Sequence, residues 1–313
     1  MPTISVHHRD LERLVGRALP LDELECRLPL VKGELKGGMS GSELRIELND
    51  TNRPDLWCVE GIARQIRFHL DGAARRYDFF STRPAAEHRI AAEPSVAAVR
   101  PVIGGFLASG LEVDEPLLLQ LIQTQEKLCE SFGQKRRGIA IGIYPARDIA
   151  FPVRYAALPP KEVSFTPLGE DGALNLAEIL ERHPKGRQYA HLLSGCDRYP
   201  VIRDCRGEVL SFPPIIHSRR LGEVNVGDRV LFVEATGLEF EPVMLALNIL
   251  AYNLADRGAE IAPCAVEFGF ETAYPRKIQV PYPLQNRVLL DAADFARLAG
   301  ERPTDDELRR ALE

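Results

Sequence analysis

Some segments of the chain alternate between apolar and polar residues, as strands do, and others have apolar residues every three to four positions, as amphipathic helices do. Residues 43–48 alternate between apolar and polar side chains, which predicts a strand with one buried face. Leu11, Leu14 and Val15 recur at helical spacing and predict an amphipathic helix over residues 10–18. Because strands and helices do not alternate regularly along the chain, the pattern predicts an α+β fold rather than a doubly wound parallel sheet.

Further elements follow from the same two periods. In chain order they are a strand over 4–6, a helix over 21–28, strands over 96–103 and 105–111, a helix from Pro116 to Gly133, a strand over 139–144, a helix over 242–256 and a strand over 260–266. The polar, proline-containing residues 81–87 are typical of a linker between domains.

Two short motifs have the residue types of helix N-termini. In Asn52-Arg53-Pro54-Asp55 the asparagine suits the N-cap, the proline fits the first turn and the aspartate can reach back to the cap. This motif therefore predicts a helix directly after it. Asn175 and Glu178 form a second capping signature and predict a short helix. Capping accounts for both motifs, and neither requires a catalytic role.

The stretch from Tyr199 to Gly237 predicts a small polar pocket. Short β-prone runs over 201–202 and 208–212 are separated by a turn, and an apolar strand over 230–233 follows. That strand would deliver Glu234 and Thr236 to its C-terminal end, opposite Ser211. A carboxylate and two hydroxyls in an apolar setting are a candidate site.

The two ends of the chain resemble each other. Residues 10–16, followed by Asp22-Glu23-Leu24, have the same pattern as residues 294–300, followed by Asp306-Glu307-Leu308. Short strands over 4–6 and 288–290 precede the two copies, so we expect one strand-helix-turn-helix unit twice. The second copy stops inside its second helix, and an isolated helix pair buries little surface. We therefore expect this chain to be part of a longer one.

Composition narrows the class of protein. The chain has 313 residues, of which 45% are hydrophobic and 27% are charged, with a formal net charge of −6. These values predict a soluble globular protein without a global basic field. Six cysteines without a C-x-x-C motif argue against a disulfide framework and a metal site. The sequence shows neither a signal peptide nor a membrane-length apolar run, so we expect a cytoplasmic protein with no membrane partner.

Several motifs together resemble the β subunit of phenylalanyl-tRNA synthetase, of the archaeal and eukaryotic type. They are MPTISV at the start, NRPDL at 52–56, VEGIAR at 59–64, QEKL at 125–128, AIGIY at 140–144, SFPPII at 211–216 and LFVEATG at 231–237. The resemblance implies three units. Residues 1–80 would form a winged-helix-like N-terminal domain. Residues 88–270 would form a mixed-sheet editing module of the B3/B4 type, and residues 275–313 would be the start of a truncated B5-like domain, a partial helix pair.

The resemblance also implies an activity. The complete synthetase is an (αβ)₂ ligase that attaches phenylalanine to tRNA(Phe) with ATP and Mg, and its aminoacylation site lies in the α subunit. This chain would hold no cofactor and no metal; its partners would be tRNA(Phe) and the α subunit. It would carry the editing activity, the hydrolysis of tyrosine misattached to tRNA(Phe). A pocket fitted to an apolar ring cannot strongly reject an isostere with one extra hydroxyl, whereas a second site that hydrogen-bonds this hydroxyl can.

Carried over by motif, the catalytic candidates are Ser211, Glu234 and Thr236. Glu234 would accept the proton of the tyrosine hydroxyl, and the other two would orient the ester or a water. The substrate-binding candidates are Ile202, Pro213, Pro214, His217 and Ser218. The family typically has asparagine at the position of His217. A structural interpretation stays open beside this one: Thr236 would end a strand, Ser211 would be solvated and Glu234 would be a surface acid.

Basic residues suggest where nucleic acid would bind. Lys135, Arg136 and Arg137 follow the helix that begins at Pro116, and they are candidate contacts to tRNA phosphates. The competing interpretation is a solvated turn. At the level of the whole chain, the alternative to an editing enzyme is a non-catalytic paralogue, or a free-standing B3/B4 protein, that binds tRNA or a protein partner.

Overall fold

A computed structural model describes residues 2–37, 41–49, 52–72, 74–284 and 289–312. The strands are β1 Thr3–His7, β2 Gly33–Leu35, β3 Glu43–Leu48, β4 Arg89–Ala92, β5 Val102–Ser109, β6 Ile139–Pro145, β7 Val153–Leu158, β8 Ser164–Phe165, β9 Leu174–Asn175, β10 Tyr199–Arg203, β11 Val209–Phe212, β12 Ile216–His217, β13 Leu231–Gly237, β14 Glu260–Phe268 and β15 Lys277–Val280. The α-helices are α1 His8–Val15, α2 Leu21–Arg27, α3 Val59–Asp71, α4 Glu115–Lys127, α5 Leu176–Arg182, α6 Pro184–Tyr189, α7 Phe240–Asp256, α8 Ala292–Ala299 and α9 Asp305–Leu312.

The first unit is a small antiparallel sheet with helices packed on it. Its strand order is β1-β3-β2, and β1 pairs with β3 from Thr3 opposite Glu47 to His7 opposite Glu43. The predicted apolar face of α1 is buried, and the helix ends at Gly16, whose φ of 90° suits the left-handed C-cap. Every second side chain of β3 is buried, so the predicted alternation of apolar and polar residues correctly gave the inner face of this strand.

The main sheet has ten strands and is mixed, which agrees with the predicted α+β class. Its order is β12-β11-β10-β7-β4-β14-β5-β13-β6, with β15 paired to β14. The pairs β4–β14 and β4–β7 are parallel, and the other pairs in the sheet are antiparallel. The last strands of the order, β12 and β6, border the same cavity. The sheet therefore curls until its two ends face each other.

Helix α7 covers one face of the sheet at its centre. Its buried residues include Val243, Met244 and Leu247. A Cβ added at Gly104 of β5 would lie 2.7 Å from Leu247 Cδ1 and 3.0 Å from Met244 Cε. The two glycines of β5, Gly104 and Gly105, thus allow the helix and the neighbouring strand to approach closely.

The two strands predicted over 96–103 and 105–111 are wrong as separate elements. Residues 96–111 do not form two strands: Pro94–Val96 is a 3₁₀ turn, and one strand, β5, runs through Gly104 and Gly105. The glycines indicated a break, but tight packing holds them inside the strand. The strands that were not predicted are β2, β4, β7, β8, β9, β12 and β15. Most of them are short and take their position from their neighbours.

The helix predicted directly after Asn52 begins later. Pro54–Leu56 is a 3₁₀ turn and α3 starts at Val59, with Cys58 at the N-cap and no side-chain cap. The Asp55 carboxylate accepts hydrogen bonds from Arg53 at 3.0 and 2.8 Å. A Cβ at Gly61 would overlap the Asp55 carbonyl oxygen, so the turn packs directly on the start of α3. In contrast, the capping box of Asn175 and Glu178 is confirmed at α5.

The C-terminal residues form the predicted helix pair, α8 and α9. Val288 of the strand expected before it lies outside the described residues, and Leu289 and Leu290 form no strand. The helix α8 has no buried residue, and Leu298 is 79% exposed. The division into units at 1–80, 88–270 and 275–313 stays a prediction.

Buried ion pairs join the first unit to α7. Arg257, directly after α7, donates to both carboxylate oxygens of Asp10, at 3.1 and 2.8 Å, and to Glu60 of α3. Next to it, the buried Asp256 carboxylate accepts from Arg64 at 2.7 Å and from Arg67 at 3.0 Å. These charges fix how the first unit sits against the helix, because unpaired charges at this depth are costly.

Candidate active site at the open edge of the sheet

A cavity of about 690 Å³ lies where the two ends of the main sheet face each other. One wall is β6, through Ala140, Ile141 and Ile143, and the opposite wall is the segment 211–217. Helix α4 closes one side, and Gln125 of this helix donates to the Ile141 carbonyl of the sheet edge at 2.7 Å. Most of the lining is apolar, and the volume is that of a small-molecule pocket.

Glu234 is the carboxylate of this cavity. It lies in the middle of β13, paired with Gly142 on one side and Gly105 on the other, and not at the strand end as predicted. Its side chain is 2% exposed, which excludes the interpretation as a surface acid. Oε1 accepts a hydrogen bond from the Tyr144 hydroxyl at 2.8 Å, while Oε2 has no hydrogen-bond partner among the described residues.

Burial dominates the electrostatics of Glu234. It raises the pKa of the carboxyl from 4.5 to about 8, although the hydrogen bond from Tyr144 and the charge of Arg100 act in the opposite direction. Burial and the neighbouring Glu234 raise the pKa of Tyr144 well above its usual value, so the phenol keeps its proton and remains the donor. At neutral pH, the site therefore presents a largely neutral carboxyl to the cavity.

This shift predicts that the stability of the protein depends on pH through Glu234. Between pH 4.5 and about 8 the folded protein retains a proton that the unfolded chain has released. The free energy of unfolding should therefore fall as pH rises through this window, by on the order of 4 kcal/mol. Urea unfolding of the wild type and of Glu234→Gln near both limits checks this, since glutamine cannot titrate. Equal pH slopes for the two proteins would contradict it.

Ser211, on β11, lines the same cavity as Glu234. It is 2% exposed, which excludes a solvated hydroxyl, and it pairs with Ile202 of β10 and His217 of β12. Its hydroxyl lies beside the Tyr144 phenol but falls short of hydrogen-bond geometry with any described residue. Ser211 Oγ and Glu234 Oε2 are thus two buried polar atoms of one cavity that have no hydrogen-bond partner in the described part of the chain.

Three of the predicted site residues do not line the cavity. Thr236 is fully buried, and its hydroxyl oxygen and carbonyl accept from Arg100 at 2.9 and 2.7 Å. Ile202 is a buried residue of β10, and Ser218 caps a turn through Leu221 N–H at 3.2 Å. The structure places these side chains behind the cavity wall, where they hold residues that form it.

Pro213 and Pro214, joined by a cis peptide, belong to the cavity wall. The Arg136 guanidinium donates to the carbonyls of Pro214 and Ile215 at 3.2 and 2.9 Å, and it lies 4.4 Å from the centre of the Tyr189 ring. It therefore bridges the gap between the β6 side and the opposite wall. Arg136 is half-buried and held by the protein.

The turn that carries Arg136 has an unusual backbone. Gln134, Lys135 and Arg136 all have positive φ, at 51°, 55° and 67°, a region that non-glycine residues seldom adopt. The contacts of Arg136 with the opposite wall hold this turn in place. Lys135 and Arg137 are exposed. Their contact with tRNA phosphates stays a prediction.

His217 lies at the cavity wall on β12, half-buried, with its ring 5.0 Å from that of Tyr144. Burial and the nearby positive charge of Arg136 lower its pKa to about 4. The imidazole is therefore neutral at neutral pH. Its contact with Tyr144 places it in the wall of the site and not in a free loop.

Sequence reasoning missed Tyr144, Gly142, Arg100 and Tyr189. For the first two a signal existed: they are two residues apart in a strand, so both face the same side, toward Glu234. A Cβ at Gly142 would overlap both the Tyr144 hydroxyl and Glu234 Oε1. No comparable signal marked Arg100 or Tyr189. Among the described residues, no group of three or more His, Cys, Asp or Glu side chains is arranged to hold a metal ion.

None of the helices in the described ranges is both long and apolar enough to cross a membrane. No protein-family model matches the chain. Individual proteins do match. The chain is 39% identical, over 98% of its length, to the phenylalanine–tRNA ligase β subunit of Borrelia hermsii, and 40% identical, over 97%, to that of Borrelia garinii subsp. bavariensis. It spans 55% and 54% of the length of these relatives.

A solved structure agrees with these relatives. It is an N-terminal fragment of the phenylalanyl-tRNA synthetase β subunit from Pyrococcus horikoshii, and it superposes with a TM-score of 0.91 at 34% identity. The match covers 100% of this chain and 88% of the fragment. The chain therefore belongs to the phenylalanyl-tRNA synthetase β-subunit family and corresponds to the N-terminal part of its members.

Proposed function

We propose that this chain carries an editing site that hydrolyses tyrosine misattached to tRNA(Phe) and spares the phenylalanyl ester. The observation that supports it most is the buried Glu234 carboxyl, whose Oε2 has no partner among the described residues in a mostly apolar cavity. An isolated polar atom at this depth costs free energy unless a ligand satisfies it. A phenol hydroxyl at the end of an apolar ring has the matching chemistry.

Discrimination follows from the hydrogen bond that the substrate supplies. A tyrosyl side chain in the cavity would place its hydroxyl against Glu234 Oε2, which can donate when neutral and accept when ionised. A phenylalanyl side chain would leave Oε2 buried and unpaired. Sites built to bind a hydroxyl reject the analogue without it far more strongly than apolar pockets reject an added hydroxyl. This asymmetry is what an editing site for tyrosine needs.

The chemical step is hydrolysis of an already activated ester. Water adds to the ester carbonyl carbon, the bond between that carbon and the ribose oxygen breaks, and tyrosine and deacylated tRNA leave. Ser211, whose hydroxyl has no hydrogen-bond partner among the described residues, is the candidate to orient the ester or the water. Thr236 would act indirectly, through Arg100 and the strand that holds Glu234.

The larger setting is part of the same proposal. Together with the remainder of a β subunit and an α subunit, the chain would serve a cytoplasmic complex that ligates phenylalanine to tRNA(Phe). ATP and Mg would be bound elsewhere in that complex. Lys135 and Arg137, exposed on the turn beside the cavity wall, would contact tRNA phosphates.

The test is direct. The purified 313-residue chain is incubated with tyrosyl-tRNA(Phe) and with phenylalanyl-tRNA(Phe), each labelled in the amino acid, and the remaining ester is followed with time. We expect hydrolysis of the tyrosyl form and little loss of the phenylalanyl form above the spontaneous rate. Spontaneous rates for both would reject the proposal, and tRNA binding in a filter assay without hydrolysis would favour the non-catalytic alternative.

A further inference from the structure

Tyr144 is the residue that hydrogen-bonds the Glu234 carboxyl. The Tyr144 hydroxyl is buried with the rest of its side chain, and its hydrogen bond goes to Glu234 Oε1, 90 residues away in the sequence. Tyr144 stands on β6 opposite Phe232 of β13, two residue pairs along from Gly142 and Glu234 and therefore on the same face of the sheet. The phenol therefore reaches Glu234 diagonally across the two strands.

Gly142 makes this contact possible. It is the residue of β6 directly opposite Glu234, and any side chain there would occupy the space in which the Tyr144 hydroxyl and Oε1 meet. The φ of Gly142 is not in the left-handed region, so backbone conformation does not require glycine at this position. Space does.

We propose that Tyr144 is the positioning residue of this site: its phenol holds Glu234 Oε1, so that Oε2 alone is presented to a ligand hydroxyl in the cavity, and Gly142 leaves the room for that contact. The inference rests on the proposed editing function. It adds the device that sets which carboxyl oxygen senses the hydroxyl.

Holding Oε1 has two consequences. First, the carboxyl cannot turn both oxygens away from the cavity without breaking a buried hydrogen bond. Second, since Oε1 already accepts from the phenol, the proton of neutral Glu234 resides on Oε2. The group facing a ligand is then a donor below the pKa of Glu234 and an acceptor above it. Tyr144 thus sets both the direction and the protonation of the sensing atom.

The experiment compares Tyr144→Phe with the wild type in the 313-residue chain. Loss of the phenol should lower the preference for tyrosyl over phenylalanyl ester about tenfold, the value of one buried hydrogen bond to an ionisable group. The loss should appear as a higher KM for the tyrosyl ester with kcat changed much less. The hydrogen bond from Tyr144 lowers the pKa of Glu234, so its loss should raise that pKa. In a plot of the hydrolysis rate against pH, the change on the high-pH side should therefore move to higher pH.

Two matched controls separate positioning from folding. Tyr155→Phe removes another buried phenol, whose hydrogen bond goes to the Arg100 carbonyl at 2.9 Å and not to Glu234. We expect it to leave the preference and the pH profile unchanged. Gly142→Ala should lower the preference at least as much as Tyr144→Phe. Gly138→Ala, where the nearest described atom to an added Cβ lies at an ordinary 3.5 Å, should not.

A second readout does not depend on hydrolysis. The titration of Glu234 is followed by ¹³C NMR of glutamate-labelled protein, with Glu234→Gln to assign the signal, and 4-methylphenol and toluene are titrated as probes. Tyr144→Phe should raise the Glu234 pKa and weaken binding of 4-methylphenol but not of toluene. If the wild type does not hydrolyse the ester but Tyr144→Phe changes the Glu234 pKa and 4-methylphenol binding as expected, the editing function is rejected and the positioning role is not. An active wild type with an unchanged Tyr144→Phe variant in both readouts would reject the positioning role.

Discussion

Replacement of Glu234 with alanine is expected to lower the preference for tyrosyl over phenylalanyl ester by about 100-fold. The carboxyl lies in the middle of β13, and its Oε2 is buried without a hydrogen-bond partner among the described residues. Without it the cavity would be apolar at this point, and it would bind both rings with similar affinity. The measurement is the ratio of kcat/KM for the two esters, taken from the initial rates of deacylation.

The control for this result is a glutamate outside the cavity. Glu239, two residues after the end of β13, is exposed, and Glu239→Ala should leave the ratio at the wild-type value. The ratio of kcat/KM for Glu234→Gln should lie between those of Glu234→Ala and Glu239→Ala, because the amide can still form hydrogen bonds at the same place. A wild-type ratio in Glu234→Ala would contradict the assignment of Glu234 as the sensor of the hydroxyl.

Replacement of Arg257 with alanine is expected to destabilise the protein by about 3–5 kcal/mol. The side chains of Arg257, Asp10 and Glu60 are only 3%, 4% and 3% exposed. Burial raises the pKa of Asp10, but hydrogen bonds and charge from Arg257 and Arg13 outweigh it and hold the carboxyl ionised. Removal of Arg257 would leave carboxylates buried without their main partner. Urea unfolding, followed by circular dichroism, measures the loss.

An exposed ion pair provides the comparison. Arg229 and Glu112 form a salt bridge of 2.7 Å, with side chains 74% and 59% exposed. Arg229→Ala should cost less than about 0.5 kcal/mol, because water screens such a pair and replaces it. Similar losses for the two variants would show that burial does not set the strength of the Arg257 cluster.

Local sequence signals predicted most helices. They gave wrong boundaries where contacts between distant residues, rather than local preferences, set the backbone. The capping box of Asn175 and Glu178 is formed by residues three apart, so it could be identified from the sequence alone. Asn52 offered the same residue types, yet α3 begins at Val59, because Asp55 is held by Arg53 and the turn packs onto Gly61. Gly104 and Gly105 looked like a break in a strand, although α7 and β13 require small residues there.

The sequence indicated which residues belong to the region of the site, but only partly which of their side chains line the cavity. Ser211, Glu234, Pro213 and Pro214 do line the cavity, whereas Thr236, Ile202 and Ser218 lie behind its wall. Alternation along β6 places Gly142 and Tyr144 on one face, but it does not say what that face meets. Arg136 appeared as part of a basic turn, and only the fold shows its guanidinium between two carbonyls and an aromatic ring.

By itself, the sequence determined the α+β class, the main helices and strands, the polar residues of the site and the motifs that pointed to the family. These depend on interactions over a few residues, or on motifs that can be read directly. Only the tertiary structure decided that Glu234 is buried, that Tyr144 holds its Oε1, and that a cavity opens between β6 and β12. The pKa of Glu234 and the direction it faces are set by groups that are distant in the sequence, such as Tyr144 at 90 residues and Arg100, and these come together only when the sheet curls.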